Sequence, residues 1–284
     1  MAMPFIACDL DGTIVRNEDF KILESTINDI LNYQQNSGSR FFIVTGRSFE
    51  TTKMYAKELE VKLPVIGCNG AVITDPITGN VIFEDVINTE ISVKLIDFSI
   101  ENQLDLAFYT SSAMIALTFS ERANYFKKAY ADIDNDMKPK IVFIDSLEDM
   151  KEAVMKNIHK PVKFLFSFPQ EGNGKIVENT KNLLSNLGLN HPITLMNNRI
   201  LIDAMNSNIN KATGLKKWAD LVGVDVELIH TIGDNNNDIE MTKQSKFGCA
   251  VDNAVPALKN TAKTILKSIE DNGVGLYLST LLED

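Results

Sequence analysis

Short continuous apolar runs alternate with stretches of helical periodicity at both ends of the chain, and this alternation restricts the fold more than any other feature. Residues 4–8, 40–44 and 64–68 are three such runs near the start. Between them, residues 22–35 place Ile22, Leu23, Ile27, Ile30 and Leu31 at roughly helical spacing, and residues 48–59 read as a second helix. From residue 209 the pattern returns: a helix at 211–221, a strand at 228–232, a helix at 238–245, a strand at 247–251, a helix at 255–262 and a short run at 264–266. Strands without polar alternation are buried on both faces, as in a parallel sheet wrapped by helices.

The middle of the chain reads differently. Segments 71–74 and 81–84 flank the turn sequence DPITGN, a hairpin signal. An amphipathic helix at 90–102 precedes two adjacent strands at 104–109 and 114–119. Further strand candidates lie at 141–144, 163–168, 193–196 and 199–204, with helices near 147–157 and 175–187. Paired strands with intervening helices suggest an α+β unit. The expected fold class is therefore α/β. A Rossmann-like, doubly wound parallel-sheet core forms from residues 1–85 and 207–284, and residues 86–206 form an inserted α+β domain.

Composition narrows the partners. The 284 residues are 44% hydrophobic, enough for a substantial core, which excludes a disordered chain. Lys and Arg total 28 against 38 Asp and Glu, a net charge of −10, so neither nucleic acid nor an anionic membrane is an expected partner. An anion handled by such a chain needs a local site that reverses the global sign. Cys8, Cys68 and Cys249 lack metal-site spacing and sit in apolar runs, as buried thiols do. With no cationic leader and no apolar run of about 18 residues, a cytoplasmic location is expected.

Four segments carry chemistry. Asp9-Leu10-Asp11-Gly12-Thr13 follows the first strand directly, and side-chain alternation would project Asp9 and Asp11 together from its C-terminal end. Open α/β sheets bind their ligands there. Clustered carboxylates repel unless they share a proton or hold a hard cation such as Mg2+. Thr45-Gly46-Arg47-Ser48, after the second strand, offers a hydroxyl, a flexible N–H and a helix N-terminus, which together suit an anion. Lys211 opens the helix after the insert. Gly233-Asp234-Asn235-Asn236-Asn237-Asp238 puts Asp234 at another strand end and Asp238 in the next helix's first turn. Plainer readings exist: a turn at Gly12, an N-cap at Ser48, a core ion pair for Arg47 and a turn at Asn69. Trp218 reads as core, and His159, His191 and His230 as packed or surface side chains.

In this order, and with Asn69-Gly70-Ala71, Asn253-Ala254 and Asp271-Asn272-Gly273-Val274-Gly275, the motifs resemble the haloacid dehalogenase-like phosphohydrolase superfamily, in particular its Cof-type (class IIB) branch. One stretch departs: residues 204–212 lack the proline and both glycines usual around the family's lysine. The resemblance implies a Mg2+-dependent phosphatase acting on small cytosolic phosphate monoesters through an aspartyl-phosphate. Asp9 would be the nucleophile and Asp11 the general acid/base. Thr45, Gly46 and Lys211 would hold the phosphate. Mg2+ would sit on Asp9, the backbone carbonyl of Asp11 and Asp234, with Asp238 or Asn237 ligating or orienting. Arg47 and Asn69 would lie near the substrate, and the insert would be a cap that sets specificity. The implied partner is a small phosphorylated metabolite, and the implied state a monomer or small homo-oligomer. The alternatives are a phosphomutase and a non-catalytic phosphometabolite-binding protein.

Overall fold

A computed structural model describes residues 3–131, 133–196 and 198–283, apart from the side chains of Ala129 and Met196. The chain divides into two compact units. One comprises Met1–Arg47, Thr52–Phe83 and Asn210–Asp284, the other Ser48–Thr51 and Glu84–Ile209.

The first unit is built on a sheet with strand order Thr264–Leu266, Gly248–Val251, His230–Gly233, Ile6–Cys8, Phe41–Ile43. Every neighbouring pair runs parallel. Chain order reverses at Ile6–Cys8, so this strand marks the crevice where doubly wound sheets place ligands. Its three residues are fully buried, as the unbroken apolar run requires. Helices Glu24–Ser37 and Gly273–Glu283 pack together. Gln34, buried on the first of them, is satisfied: its amide donates to the carbonyls of Phe41, Leu59 and Glu60, and its oxygen accepts from Phe41 N. On helix Lys211–Val222, Trp218 stacks on Phe42 with ring centroids 3.8 Å apart, and its Nε1 donates to Pro64 O at 2.8 Å. Trp218 is thus core, as expected.

The second unit carries a sheet with strand order Leu189–Asn190, Arg199–Asn206, Lys163–Pro169, Leu106–Tyr109, Met114–Leu117, Ile141–Ile144, and Ile193–Met196 pairs along Arg199–Asn206. The pairing is antiparallel except between Met114–Leu117 and Ile141–Ile144. Helices Thr89–Asn102, Leu147–Met155 and Gly174–Asn186 bury Phe108, Ile115, Phe164, Phe166 and Ile202 from one face. The α/β class is borne out.

Several boundaries shift for local reasons. The strand expected at 228–232 is His230–Gly233, because Asp225 accepts from Glu227 N at 3.0 Å and turns Val226–Leu228 into a 3-10 helix. The helix expected at 238–245 is Ile239–Gln244, preceded by the 3-10 turn Asn236–Asp238. The one expected at 255–262 is only Pro256–Lys259. The run at 64–68 joins the parallel sheet through a single bridge, Val44 to Ile66. Its strand, Val65–Gly67, instead pairs antiparallel with Val72–Thr74 and opens a sheet that Val81–Glu84 completes. Among the described residues, no helix is long and apolar enough to cross a membrane.

Candidate active site

The site grows from the C-terminal edge of the parallel sheet. Asp9 N donates to Ile232 O at 2.9 Å, so Asp9 stays in register just past the first strand, and its side chain is buried. The chain then curls tightly, with Leu10 O accepting from the amides of Thr13, Ile14 and Val15. Gly12 has φ +77°, and a Cβ there would lie 2.3 Å from Asp234 Oδ2. Both facts demand glycine. The strand ends at Cys8, so Asp11 lies in the curl rather than on the strand. The Asp11 carboxylate forms a bidentate pair with Arg47.

Lys211 is the first residue of its helix. Asn210 caps that helix by accepting from Thr213 N at 2.9 Å, and Thr213 Oγ1 accepts from Asn210 N at 3.1 Å. This cap sets the start of the helix without the expected proline and glycines. Close contact with the turn at residues 68–70 fixes its position. A Cβ on Gly70 would meet Asn210 O at 2.3 Å, and one on Gly214 would meet Gly70 Cα at 2.6 Å. The fully buried Lys211 Nζ stands 2.7 Å from both Asp9 Oδ1 and Asp238 Oδ1. Asp238 Oδ2 accepts from the amides of Asp234 and Asn235 at 3.1 and 3.0 Å. Thr13 Oγ1 donates to Asp234 Oδ1 at 3.4 Å.

Three of the expected metal residues therefore converge: oxygens of Asp9, Asp234 and Asp238 all lie within 4.8 Å of one another. Burial pushes the Asp9 carboxyl well above the usual range; Asp238 and Asp234 add to the rise, and Lys211 opposes it. Burial, reinforced by Asp238, lifts Asp234 to about 7. Burial alone would lower Lys211, but Asp238 and Asp9 outweigh it and hold the ammonium above its ordinary value. Three carboxylates face one ammonium, all hard oxygen donors in short supply of positive charge. That donor set fits Mg2+.

Thr45 is buried, and its Oγ1 accepts from Arg47 N at 3.1 Å. A Cβ on Gly46 would come within 3.0 Å of Asn69 Oδ1. Asn69 itself is left-handed, φ +55°, and accepts from Asn237 Nδ2 at 3.0 Å. Asn69 and Asn237 thus tie the Thr45–Gly46 turn to the Asp234–Asp238 loop. Asn69 lies in a turn, and Arg47 pairs with the carboxylate of Asp11. Sequence reasoning gave no part to Phe20 and Tyr55, which flank Arg47, or to Asn253 as the donor to Gly12 O at 2.7 Å. Tyr55, an aromatic in a helix, reads as core, so only the Asn253-Ala254 motif offered a signal. Cys8, Cys68 and Cys249 are buried and take part in no disulfide among the described residues. His230 is packed against the Tyr277 hydroxyl, with burial lowering it to about 4.

A model of the haloacid dehalogenase-like hydrolase family matches residues 6–278. The chain is 24% identical over 278 residues to 5-amino-6-(5-phospho-D-ribitylamino)uracil phosphatase YitU of Bacillus subtilis (strain 168), covering 96% of this chain and 95% of that protein. It is also 24% identical to pyridoxal phosphate phosphatase YbhA of Escherichia coli (strain K12), covering 98% of each. A haloacid dehalogenase-like hydrolase from Bacteroides thetaiotaomicron shares the fold, with a TM-score of 0.79 at 21% identity over 98% of this chain and 99% of that one.

Proposed function

The chain belongs to the haloacid dehalogenase-like hydrolase family and is a phosphoric monoester hydrolase, and from that premise we propose that it removes phosphate from small phosphorylated metabolites in the cytoplasm, with Asp9 as nucleophile and Mg2+ as cofactor. The observation that carries this reading is the buried Lys211 ammonium, 2.7 Å from Asp9, beside the converging carboxylates of Asp234 and Asp238.

Asp9 attacks phosphorus; its O–P bond forms as the bond to the leaving oxygen breaks. Asp11 gives a proton to the departing alkoxide, then takes one from the water that cleaves the aspartyl-phosphate. The Thr45 hydroxyl, the Gly46 N–H and Lys211 Nζ hold the phosphoryl oxygens as charge redistributes. Asp9, Asp234 and Asp238, with the backbone carbonyl of Asp11, would hold Mg2+, which when bound offsets the repulsion between carboxylates and phosphate. Residues 86–206 are assigned substrate selection, and the protein is taken to act as a monomer or small homo-oligomer.

The named substrates of the two relatives, a phosphoribitylaminouracil and pyridoxal phosphate, head the panel to be tried. The test is phosphate release from a broad set of monoesters, in Mg2+ or EDTA, by wild type and Asp9→Asn. Release that needs Mg2+ and vanishes in Asp9→Asn supports the proposal. Release that survives Asp9→Asn removes Asp9 as nucleophile. Release only with a bisphosphate activator points to phosphoryl transfer between substrates.

A further inference from the structure

Both oxygens of Asp11 are taken by one guanidinium. Arg47 Nε donates to Oδ2 at 2.7 Å and Nη2 donates to Oδ1, the fork in which guanidinium and carboxylate fit best. The two partners are not equally free. The Arg47 side chain is only 11% exposed, against 29% for Asp11. Its guanidinium carbon lies 5.1 Å from the Tyr55 ring centroid and 5.7 Å from that of Phe20. Its Nη1 donates to the Tyr55 hydroxyl at 3.4 Å, and that hydroxyl donates to Phe20 O at 2.8 Å. At the backbone, Arg47 N donates to Thr45 Oγ1 and its carbonyl accepts from Cys68 N at 2.7 Å. Arg47 is a fixed bracket, and Asp11 is what it holds.

We infer that Arg47 is a positioning residue for Asp11 in the second half of the reaction, the hydrolysis of the aspartyl-phosphate. The inference rests on the reading of Asp9 as nucleophile and Asp11 as acid/base. A carboxylate gripped through both oxygens by one planar guanidinium is held in one orientation, with its remaining lone pairs aimed in fixed directions. In the step it serves, a water O–H bond breaks and its proton passes to Asp11. A new O–P bond forms, and the bond from phosphorus to Asp9 breaks with its electron pair returning to Asp9. Without the bracket, Asp11 loses its aim and the phosphoenzyme persists.

The test is pre-steady-state turnover of p-nitrophenyl phosphate, whose leaving group needs no proton, by wild type, Arg47→Met, Arg47→Lys and Tyr55→Phe with Mg2+. Arg47→Met is expected to release about one equivalent of p-nitrophenolate in a burst and then turn over about 10–100-fold more slowly, at or below the low end of what general-base catalysis supplies, because Asp11 itself remains. Acid quenching then traps phosphoenzyme. Arg47→Lys restores part of the steady rate. Tyr55→Phe, which keeps the ion pair and loses one anchor, shows the burst with a smaller loss. In an Asp11→Asn background, Arg47→Met adds less than about two-fold, as expected for residues acting as one unit. A raised KM with unchanged kcat and no burst overturns the inference and makes Arg47 a substrate ligand, as do losses that simply multiply with Asp11→Asn. Wild type without activity, or an active Asp9→Asn, overturns the underlying reading and the inference together. An active wild type with a dead Asp9→Asn and no burst in Arg47→Met overturns the inference alone.

Discussion

Replacing Asp234 with Asn is expected to stabilise the metal-stripped protein at neutral and alkaline pH and to abolish its stabilisation by Mg2+. Burial, with Asp238 close by, lifts the folded-state value of Asp234 to about 7 from an ordinary 3.8. Between those values the folded chain binds the proton more tightly than the unfolded chain does. Stability therefore falls as pH rises through this window. The span is about 3 pH units, and at about 1.4 kcal/mol per unit the penalty reaches about 4 kcal/mol at pH 7 and above. Asn removes the charge and keeps the shape. Its amide oxygen can still accept from Thr13 Oγ1, now 3.4 Å from Asp234 Oδ1, and its NH2 faces acidic neighbours. The variant's advantage should thus be near zero at pH 4 and grow to about 4 kcal/mol by pH 7. The assay is urea unfolding in EDTA from pH 4 to 8, followed by fluorescence of the single tryptophan, Trp218. Repeated in Mg2+ at about 100 times its Kd, wild type should gain about 2.7 kcal/mol and the variant far less. A difference that is flat with pH, or a variant less stable than wild type at pH 8 in EDTA, refutes the electrostatic account of the cluster.

Gly12→Ala should weaken both fold and site, because it forces a side chain into a left-handed conformation and against Asp234 Oδ2. A stability loss of about 1 kcal/mol or more, with weaker Mg2+ activation in a metal titration, is the expected pair of results. Trp218→Phe loses the N–H bond to Pro64 O and part of the stack on Phe42, for a loss of about 1–2 kcal/mol by circular dichroism. Its kcat should match wild type, since Trp218 lies in the core.

The parallel core was legible because its strands are buried on both faces, and burial on both faces leaves an unbroken apolar run. The same reasoning could not give direction. Residues 64–68 read like the other runs, yet Val65–Gly67 pairs antiparallel with Val72–Thr74, since apolar content alone does not say which way a neighbour runs. At the site, Asp9, Lys211, Asp234 and Asp238 were legible because each sits at a strand end or helix start, where chain position constrains side-chain direction. The pairing of Asp11 with Arg47 was not. It depends on where the first strand stops and on the left-handed turn at Gly12, where a Cβ would meet Asp234. The aromatic bracket behind Arg47 was hidden for a similar reason: Phe20 and Tyr55 are joined by a hydroxyl-to-carbonyl bond that forms in the folded chain.

An acidic chain that handles phosphate must reverse its sign locally, and Lys211 is the obvious source of positive charge. Its ammonium is shared between Asp9 and Asp238, and Asp234 stands beside them. Lys211 therefore serves first to let Asp9 and Asp238 stay buried and aimed. On the proposed reading, the remaining attraction for a phosphate dianion comes from the amide and hydroxyl of the Thr45–Gly46 turn and from a divalent cation on the three carboxylates. Cation and phosphate then each supply the charge the other lacks, so the site is complete only when both are bound. On that reading, burial is tolerated at Asp234 because its carboxylate would hold the cation. A carboxylate strained toward neutrality in the bare fold gains most when a cation arrives, and its destabilising charge becomes the source of metal affinity.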